Sequence, residues 1–144
     1  MSSANKVTII VNPIAGVGAG SSLERGKDRT ELATAFLAKY QQPGHVFVTE
    51  GQGHAKQLAQ LALDEGHSSV IVAWGGDGTV NEIASVLTGS VASLVIVPDG
   101  SGNGLASELG IPKQPEDALE LVLSGKDRWI DVGELDGRLF VNIA

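Results

Sequence analysis

Residues 75–82 read Gly-Gly-Asp-Gly-Thr-Val-Asn-Glu, a segment whose residue types are suited to binding phosphate. Its three glycines allow the main chain to approach a ligand closely, because no side chain stands in the way. Asp77 carries a carboxylate that can reach a metal ion or accept a hydroxyl proton, although an Asp-Gly pair also occurs in ordinary turns. Thr79 can cap a helix that begins here, and the N–H groups of that helix terminus can face an anion. The segment predicts a phosphate site in which Asp77 supplies an acidic group.

Nine of the nineteen glycines fall in three short clusters rather than being spread along the chain. The clusters are Gly16, Gly18 and Gly20, then Gly75, Gly76 and Gly78, then Gly100, Gly102 and Gly104. Each cluster follows a short, β-branched apolar run, which is typical of a parallel strand buried on both faces. Although a single cluster would fit a tight turn equally well, three clusters at the carboxyl ends of parallel strands predict a phosphate-binding edge.

Apolar runs and helix-like segments alternate along most of the chain. Strands are predicted at residues 7–11, 46–48, 70–74 and 94–97. Helices are predicted at residues 29–40, 55–63 and 79–87, followed after the fourth strand by a short helix and a helix opened by Pro115. This alternation predicts the α/β class, a three-layer sandwich with a mostly parallel sheet. Residues 16–28 are predicted to form the longest loop.

The end of the sequence has the pattern of a hairpin. Residues 129–132 form a strand-like run, Asp136 and Gly137 make a favourable hairpin turn, and residues 139–144 are apolar to the final position. A domain rarely stops inside an apolar strand. We therefore expect that the chain is a fragment, or that its final strand pairs with a partner outside this sequence.

The composition argues against several classes of function. A net charge of −7 and 4% aromatic residues disfavour a nucleic-acid partner, because such partners favour basic patches and stacking platforms. The absence of cysteine excludes a disulfide scaffold, a cysteine nucleophile and a thiolate metal site. No apolar run approaches the roughly 18–20 residues of a membrane span, and the first residues lack the pattern of a signal peptide. These features favour a cytoplasmic protein.

Several familiar site patterns are absent. Gly20 is followed by two serines, whereas a P-loop requires Lys and then Ser or Thr. The spacing of the first glycine cluster does not match the dinucleotide-binding pattern, and no nucleophile elbow surrounds Ser101. His45, His54 and His67 lack metal-ligand spacing with carboxylates, and we interpret them as surface or capping residues. The predicted phosphate site must therefore follow another pattern.

Four motifs resemble, in the same order, those of the diacylglycerol kinase catalytic-domain family, which includes bacterial lipid kinases and sphingosine kinases. Residues 75–82 resemble its nucleotide-binding signature, and Asn-Pro-Ile-Ala-Gly-Val-Gly at residues 12–18 resembles its opening Asn-Pro-x-x-Gly segment. Thr49 and the Gly-His-Ala of residues 53–55 resemble its Thr…Gly-His-Ala stretch. Residues 98–106 resemble its Pro-x-Gly-Thr/Ser-Gly-Asn block, with Ser101 in place of the commoner Thr. The resemblance covers nearly the whole chain.

This resemblance implies a nucleotide-binding domain like that of NAD kinases and phosphofructokinases, with ATP and Mg²⁺ as cofactors. It implies transfer of the γ-phosphate of ATP to the hydroxyl of a lipid of the diacylglycerol or sphingoid-base type. Asp77 is implied to be catalytic, either through Mg²⁺ or as the base for the acceptor hydroxyl. The residues implied to contact the nucleotide are Asn12, Gly16, Gly18, Thr49, Gly75, Gly76, Asp77, Gly78, Thr79, Val80, Asn81, Gly100, Ser101, Gly102 and Asn103.

Members of this family carry a second, β-rich domain that supplies much of the lipid site. By the resemblance, residues 1–144 are the N-terminal nucleotide-binding domain of a lipid kinase, cut at residues 140–144 before that second domain. The chain by itself is then expected to bind nucleotide weakly and to be inactive. Its expected partners are a nucleotide and a lipid substrate bound through the second domain. Peripheral contact with the inner face of the membrane and a homodimer stay open.

Two other hypotheses stay open at this point. NAD kinases and phosphofructokinases share the Gly-Gly-Asp-Gly turn and a similar α/β fold, but they do not combine that turn with the opening segment and the Gly-Ser-Gly-Asn block. The other hypothesis is a nucleotide-binding or regulatory module without catalysis. The acceptor of the phosphate distinguishes the three hypotheses. A lipid kinase transfers phosphate to a lipid, the second class of kinase transfers it to NAD or a sugar phosphate, and a module without catalysis transfers it to no acceptor.

Overall fold

β-Strands and α-helices alternate from residue 6 to residue 109, as the apolar runs predict, and two further short helices follow up to residue 124. The fold is that of a computed structural model, which describes residues 6–13, 22–65, 68–90, 92–98, 104–124, 130–135 and 138–143. The strands are β1 Lys6–Val11, β2 Gly44–Val48, β3 Ser68–Gly75, β4 Ser93–Pro98, β5 Ile130–Leu135 and β6 Arg138–Ile143. The helices are α1 Ser22–Lys39, α2 His54–Asp64, α3 Asp77–Leu87, α4 Gly104–Leu109, α5 Pro115–Leu119 and α6 Leu121–Ser124.

Four parallel strands form the central sheet, in the order β2-β1-β3-β4. The register aligns the carboxyl ends of the strands, with Val11 opposite both Val48 and Trp74. β1 and β2 approach so closely at Gly44 that a Cβ atom there would collide with the carbonyl oxygen of Val7. β1 lies between β2 and β3, so the connection from β2 to β3 passes from one side of β1 to the other. In α/β sheets, ligands bind at such a topological switch point.

Helices cover both faces of the sheet and make the three layers that the alternation predicts. Successive strand residues point to opposite faces, so Ile10 packs with α2 and α3 while Ile9 packs with α1 and α5. The core on the α2 side consists of Ile10, Ala55, Leu58, Ala59, Ala62, Ile71, Ala73, Val80, Ile83, Leu87, Ile96 and Ala106. The core on the α1 side consists of Val7, Ile9, Val11, Ala33, Phe36, Val72, Trp74, Val97, Ala118 and Leu119. The predicted α/β sandwich with strands buried on both faces is thus confirmed.

Helix α1 begins at Ser22, earlier than the helix predicted at residues 29–40. The prediction of a loop over residues 16–28 is therefore wrong from Ser22 onward. The sequence of the first two turns is mostly polar, so no apolar stripe marks them, and the buried residues Ala33 and Phe36 lie further along the helix. Once the packed part of a helix has formed, adding residues that favour helix, such as Glu and Arg, is favourable. The helix therefore begins before the segment that carries the apolar stripe.

β5 and β6 form a separate two-stranded antiparallel sheet, with Ile130 opposite Ile143. The predicted hairpin is confirmed in its two strands, whereas its turn at Asp136 and Gly137 lies outside the described residues. β6 lies against α3 and α4. In the ranges that the structure describes, no helix combines the length and the apolar character needed to cross a bilayer.

Candidate functional site

The ends of β1, β2 and β3 bring residues from three predicted motifs to one edge of the sheet. Thr49 follows β2 and donates its main-chain N–H to the Val11 carbonyl oxygen at 2.8 Å. Asn12 follows β1 and donates its main-chain N–H to the Trp74 carbonyl oxygen, also at 2.8 Å. These two bonds extend the parallel pairing by one residue, so Asn12 and Thr49 are held on a rigid part of the fold.

The side chain of Asn12 bonds to Thr79 in α3. Its Nδ2 donates to Thr79 Oγ1 at 2.8 Å, and Thr79 is only 4% exposed. Gly75 permits this contact, because a Cβ atom on residue 75 would lie 2.8 Å from Thr79 Oγ1 and 3.2 Å from the Cβ of Asn12. The first glycine of the motif is therefore required by the packing of protein against protein, in addition to any role in approaching a ligand.

Helix α3 begins at Asp77, and its N-cap is Gly76, which makes no side-chain capping bond. The expectation that Thr79 caps this helix is wrong, because Thr79 lies inside the first turn and its hydroxyl accepts a hydrogen bond from Asn12. The first bond of the helix runs from the Val80 N–H to the Gly76 carbonyl oxygen at 3.1 Å. The N–H groups before it have no carbonyl within the helix to bond. Together with the helix dipole they favour an anion at this end.

The other residues of the motif differ in their exposure. Asp77 and Gly78 are exposed in the first turn of α3. Val80 is 1% exposed and packs in the core between the sheet, α2 and α3. A contact between Val80 and a nucleotide would therefore have to involve main-chain atoms. Asn81 is half-buried at the next position.

A cavity of about 280 Å³ lies between these strand ends and the N-termini of α2 and α3. It is lined by Asn12, Thr49, Gly51, Gln52, Ala55, Gly78, Thr79 and Glu82. Half of the lining was predicted from the sequence as nucleotide contacts and comes from three separate motifs: Asn12, Thr49, Gly78 and Thr79. The structure therefore joins predictions that are far apart in the sequence into one site.

The other half of the lining was not predicted to contact the nucleotide: Gly51, Gln52, Ala55 and Glu82. Ala55 and Glu82 stand inside the motifs at residues 53–55 and 75–82, so those motifs were a usable signal for them. Gly51 and Gln52 lie in no predicted contact motif. They follow the end of β2, however, and residues that follow a parallel strand lie at the ligand-binding edge of the sheet.

Arg29 is a cation beside the site that the sequence interpretation also misses. Its Nη1 donates to the Asn12 carbonyl oxygen at 2.6 Å, and its guanidinium carbon lies 5.8 Å from the centroid of the Trp74 ring. Helix α1 thereby holds the end of β1 from the face opposite α3. The described lining of the cavity itself includes the acidic Glu82 and no basic residue.

The donor atoms near the site suit a metal ion that arrives with a ligand. Among the residues that the structure describes, no group of three or more His, Asp or Glu side chains is placed to hold a metal ion. Asp77 is a single exposed carboxylate at the start of α3. Mg²⁺ bound with a nucleotide commonly uses one or two carboxylates together with phosphate oxygens and water. Asp77 therefore fits such an ion, whereas the described residues do not form an all-protein metal cage.

Six predicted contact residues lie outside the described part of the chain. They are Gly16, Gly18, Gly100, Ser101, Gly102 and Asn103. Their segments follow β1 and β4, whose carboxyl ends lie at the same edge as the cavity. Their contacts with a nucleotide stay predictions.

The fold and the cavity define a class: three-layer α/β domains with a cavity at the carboxyl ends of parallel strands. Comparison with known families identifies the group within this class. The chain belongs to the diacylglycerol kinase catalytic domain family, whose model matches residues 6–135. The resemblance that the four motifs indicate is thus confirmed.

Individual relatives agree with this assignment. The chain is 38% identical over 123 residues to a probable YegS-like lipid kinase of Pseudomonas aeruginosa, covering 84% of this chain and 40% of the relative. It is 36% identical over 132 residues to a diacylglycerol kinase of Mycobacterium tuberculosis, covering 90% of this chain and 40% of the relative. The crystal structure of a diacylglycerol kinase from Bacillus anthracis matches with a TM-score of 0.73 at 27% identity, covering 97% of this chain and 47% of that one. The chain thus spans about 40% of the length of these curated relatives.

Proposed function

We propose that this chain is the nucleotide-binding domain of an ATP-dependent lipid kinase, which transfers the γ-phosphate of ATP to a lipid hydroxyl. The observation that carries the proposal is the cavity in which Asn12, Thr49 and Thr79, from three separate family motifs, meet. The relatives named lipid kinase and diacylglycerol kinase support the reaction class. The alternative of an NAD kinase or a phosphofructokinase rests on the Gly-Gly-Asp-Gly turn and the α/β fold alone.

In this proposal the nucleotide binds across the carboxyl edge of the sheet, with its phosphates towards the N-terminus of α3. The N–H groups of that terminus and its dipole favour anionic oxygens. The cavity of about 280 Å³ is close to the roughly 300 Å³ at which ligand pockets begin, so it accommodates part of a nucleotide. The rest of the nucleotide contacts the first and third glycine clusters, through Gly16, Gly18, Gly100, Ser101, Gly102 and Asn103.

Asp77 is the proposed catalytic residue. Its exposure at the first turn of α3 lets the carboxylate reach a ligand without rearrangement of the core. It would hold Mg²⁺ together with phosphate oxygens, or accept the proton of the lipid hydroxyl. Mg²⁺, when bound, neutralises the charge that develops on the transferred phosphate. Asn12 and Thr79 position the main chain around the phosphates and take no part in proton transfer.

The lipid is proposed to bind mainly outside this chain. The relatives are about two and a half times as long as the part matched here, since the chain covers 40% of their length. We therefore propose that a second, β-rich domain follows this one and supplies most of the site for a diacylglycerol or a sphingoid base. The complete protein would act in the cytoplasm at the inner face of the membrane, because its acceptor resides in a lipid bilayer.

A phosphorylation assay with the full-length protein tests this proposal. The protein is incubated with γ-labelled ATP, Mg²⁺ and vesicles that contain either diacylglycerol or a sphingoid base, with NAD and fructose 6-phosphate as competing acceptors in separate reactions. We expect label in the extracted lipid and none on NAD or the sugar phosphate. The 144-residue chain, measured in parallel, is expected to bind nucleotide weakly and to transfer no label.

Other results would contradict the proposal in distinguishable ways. Label on NAD or the sugar phosphate would assign the protein to another class of kinase that shares the Gly-Gly-Asp-Gly turn. Calorimetric binding of ATP by the full-length protein without transfer to any acceptor would favour a nucleotide-binding module without catalysis.

A further inference from the structure

The loop between β2 and α2, together with the first turn of α2, forms half of the wall of the cavity. Four of the eight lining residues come from residues 49–55, namely Thr49, Gly51, Gln52 and Ala55. Glu50, Gly51 and Gln52 are exposed, so apolar packing does not hold this part of the wall in place. Exposed loops with few buried contacts open at low free energy. The shape of the cavity therefore depends on the hydrogen bonds within the loop and at its ends.

His54 closes this loop with hydrogen bonds from both its side chain and its main chain. Its Nδ1 accepts the main-chain N–H of Glu50 at 2.9 Å, and its own main-chain N–H donates to the Gly51 carbonyl oxygen at 3.2 Å. Gly53 precedes it with φ of +85°, a conformation that glycine adopts without strain. The chain can therefore turn back sharply enough for the imidazole to reach the start of the loop.

The two ends of the loop are attached to the rest of the fold. At its start, Thr49 donates its N–H to the Val11 carbonyl oxygen at 2.8 Å. Beyond its end, the N–H of Lys56 donates to Glu82 Oε1 of α3 at 3.3 Å. The imidazole of His54 spans the exposed part between these two attachments, where Gly51 and Gln52 face the cavity.

We propose that His54 is a positioning residue for nucleotide binding, which holds the loop of residues 49–54 in the shape that the cavity requires. This inference rests on the proposed function, because it assumes that the cavity binds part of ATP. His54 acts through the main chain of Glu50 and does not line the cavity itself. With Nδ1 as acceptor, the neutral imidazole carries its proton on Nε2, so the side chain acts as an acceptor and not as an acid.

Two substitutions in the full-length protein separate this role from a merely structural one. His54→Ala removes the acceptor. His54→Asn retains one, because the amide oxygen of asparagine stands at the same number of bonds from the main chain as Nδ1 of histidine. His45→Ala is the matched control, since His45 is an exposed histidine on β2 outside the loop.

We expect His54→Ala to raise the KM for ATP about 3- to 10-fold, which is the range for loss of one hydrogen bond. We expect kcat to stay unchanged, because the substitution weakens ATP binding equally in the ground state and in the transition state. His54→Asn is expected to restore most of the affinity, and His45→Ala to match the unsubstituted protein. Calorimetry with ADP, which needs no lipid acceptor, is expected to give the same order of affinities. In hydrogen exchange on the unsubstituted protein, the Glu50 amide is expected to be protected, and more so with ADP bound.

Several results would overturn the inference. An ADP affinity of His54→Ala equal to that of the unsubstituted protein would remove His54 from the site while leaving the proposed function intact. An unprotected Glu50 amide in the unsubstituted protein would do the same, even if the alanine variant failed to fold. Absence of ADP and ATP binding by the unsubstituted protein would instead contradict the proposed function, and the inference with it.

Discussion

Asn12 Nδ2 donates to Thr79 Oγ1 at 2.8 Å, joining two residues that are 67 positions apart in the sequence. Asn12 stands at the end of β1 and Thr79 in the first turn of α3, so the bond connects two sides of the cavity. The donor is half-buried and the acceptor is 4% exposed. In such surroundings, a polar group without a partner costs more free energy than the hydrogen bond contributes. The contributions of the two side chains to stability are therefore expected to be coupled.

A double-mutant cycle on this pair is expected to show strong coupling. Asn12→Ala removes the donor to a buried hydroxyl and should lower the free energy of unfolding by about 1–3 kcal/mol. In the Thr79→Val background the same substitution should cost less, because the hydroxyl is already absent. Urea unfolding of the two single variants and the double variant should give a coupling energy of at least about 0.5 kcal/mol. Additive effects would show that the two side chains contribute independently.

Gly75→Ala is expected to destabilise the domain by about 1–3 kcal/mol, the usual cost of forcing extra volume into a packed site. Its new Cβ would lie 2.8 Å from Thr79 Oγ1 and 2.9 Å from Thr79 Cβ. Gly76→Ala is the matched control for overpacking, because a Cβ there meets no atom within 4 Å and the φ of Gly76 is −87°, so its cost is only that of alanine at an N-cap. Thermal unfolding of both variants measures the difference. Equal melting temperatures would contradict the requirement for glycine at residue 75.

Gly78→Ala should separate folding from nucleotide binding. Gly78 lies in α3 with nothing within 4 Å of an added Cβ. Replacing glycine by alanine inside a helix raises the free energy of unfolding by about 0.5–1 kcal/mol. Gly78 also lines the cavity, so the added methyl group would occupy space in the proposed nucleotide site. We expect a higher melting temperature together with weaker ATP binding by calorimetry. A variant that is more stable and binds ATP unchanged would show that the nucleotide does not approach this residue.

Asp77→Asn in the full-length protein should abolish most of the kinase activity without unfolding the domain. The change keeps the size of the side chain but removes the charge, and we expect a loss in kcat of at least about a hundredfold. Because Asp77 is exposed at a helix N-terminus, stability should fall by no more than about 1 kcal/mol.

Asp64→Asn is the control for Asp77→Asn, since Asp64 is an exposed carboxylate at the far end of α2, where it accepts a hydrogen bond from Gln60. Its kinase activity should equal that of the unsubstituted protein. Near-normal turnover of Asp77→Asn would remove Asp77 from the mechanism, whatever the control shows.

Most elements of the fold could be predicted because their signals are local. The strand β3, predicted at residues 70–74, is observed as Ser68–Gly75, and the helix predicted at residues 79–87 is observed as Asp77–Leu87. The start of α1 could not be predicted, because its polar first turns carry no periodic signal. Gly44 drew no attention for the opposite reason. This position requires glycine because a side chain there would collide with the Val7 carbonyl oxygen of a neighbouring strand, and no local pattern shows such a contact.

The sequence by itself determined the class of the fold and the family and predicted the segments of the candidate site, because apolar periodicity and short motifs are properties of neighbouring residues. Only the tertiary structure decided which of those residues meet. The order β2-β1-β3-β4 brings Asn12 to Thr79 and adds Gln52 and Glu82 to the same cavity. Those contacts depend on how distant strands align, and that alignment results from packing on both faces of the sheet, which no local pattern records.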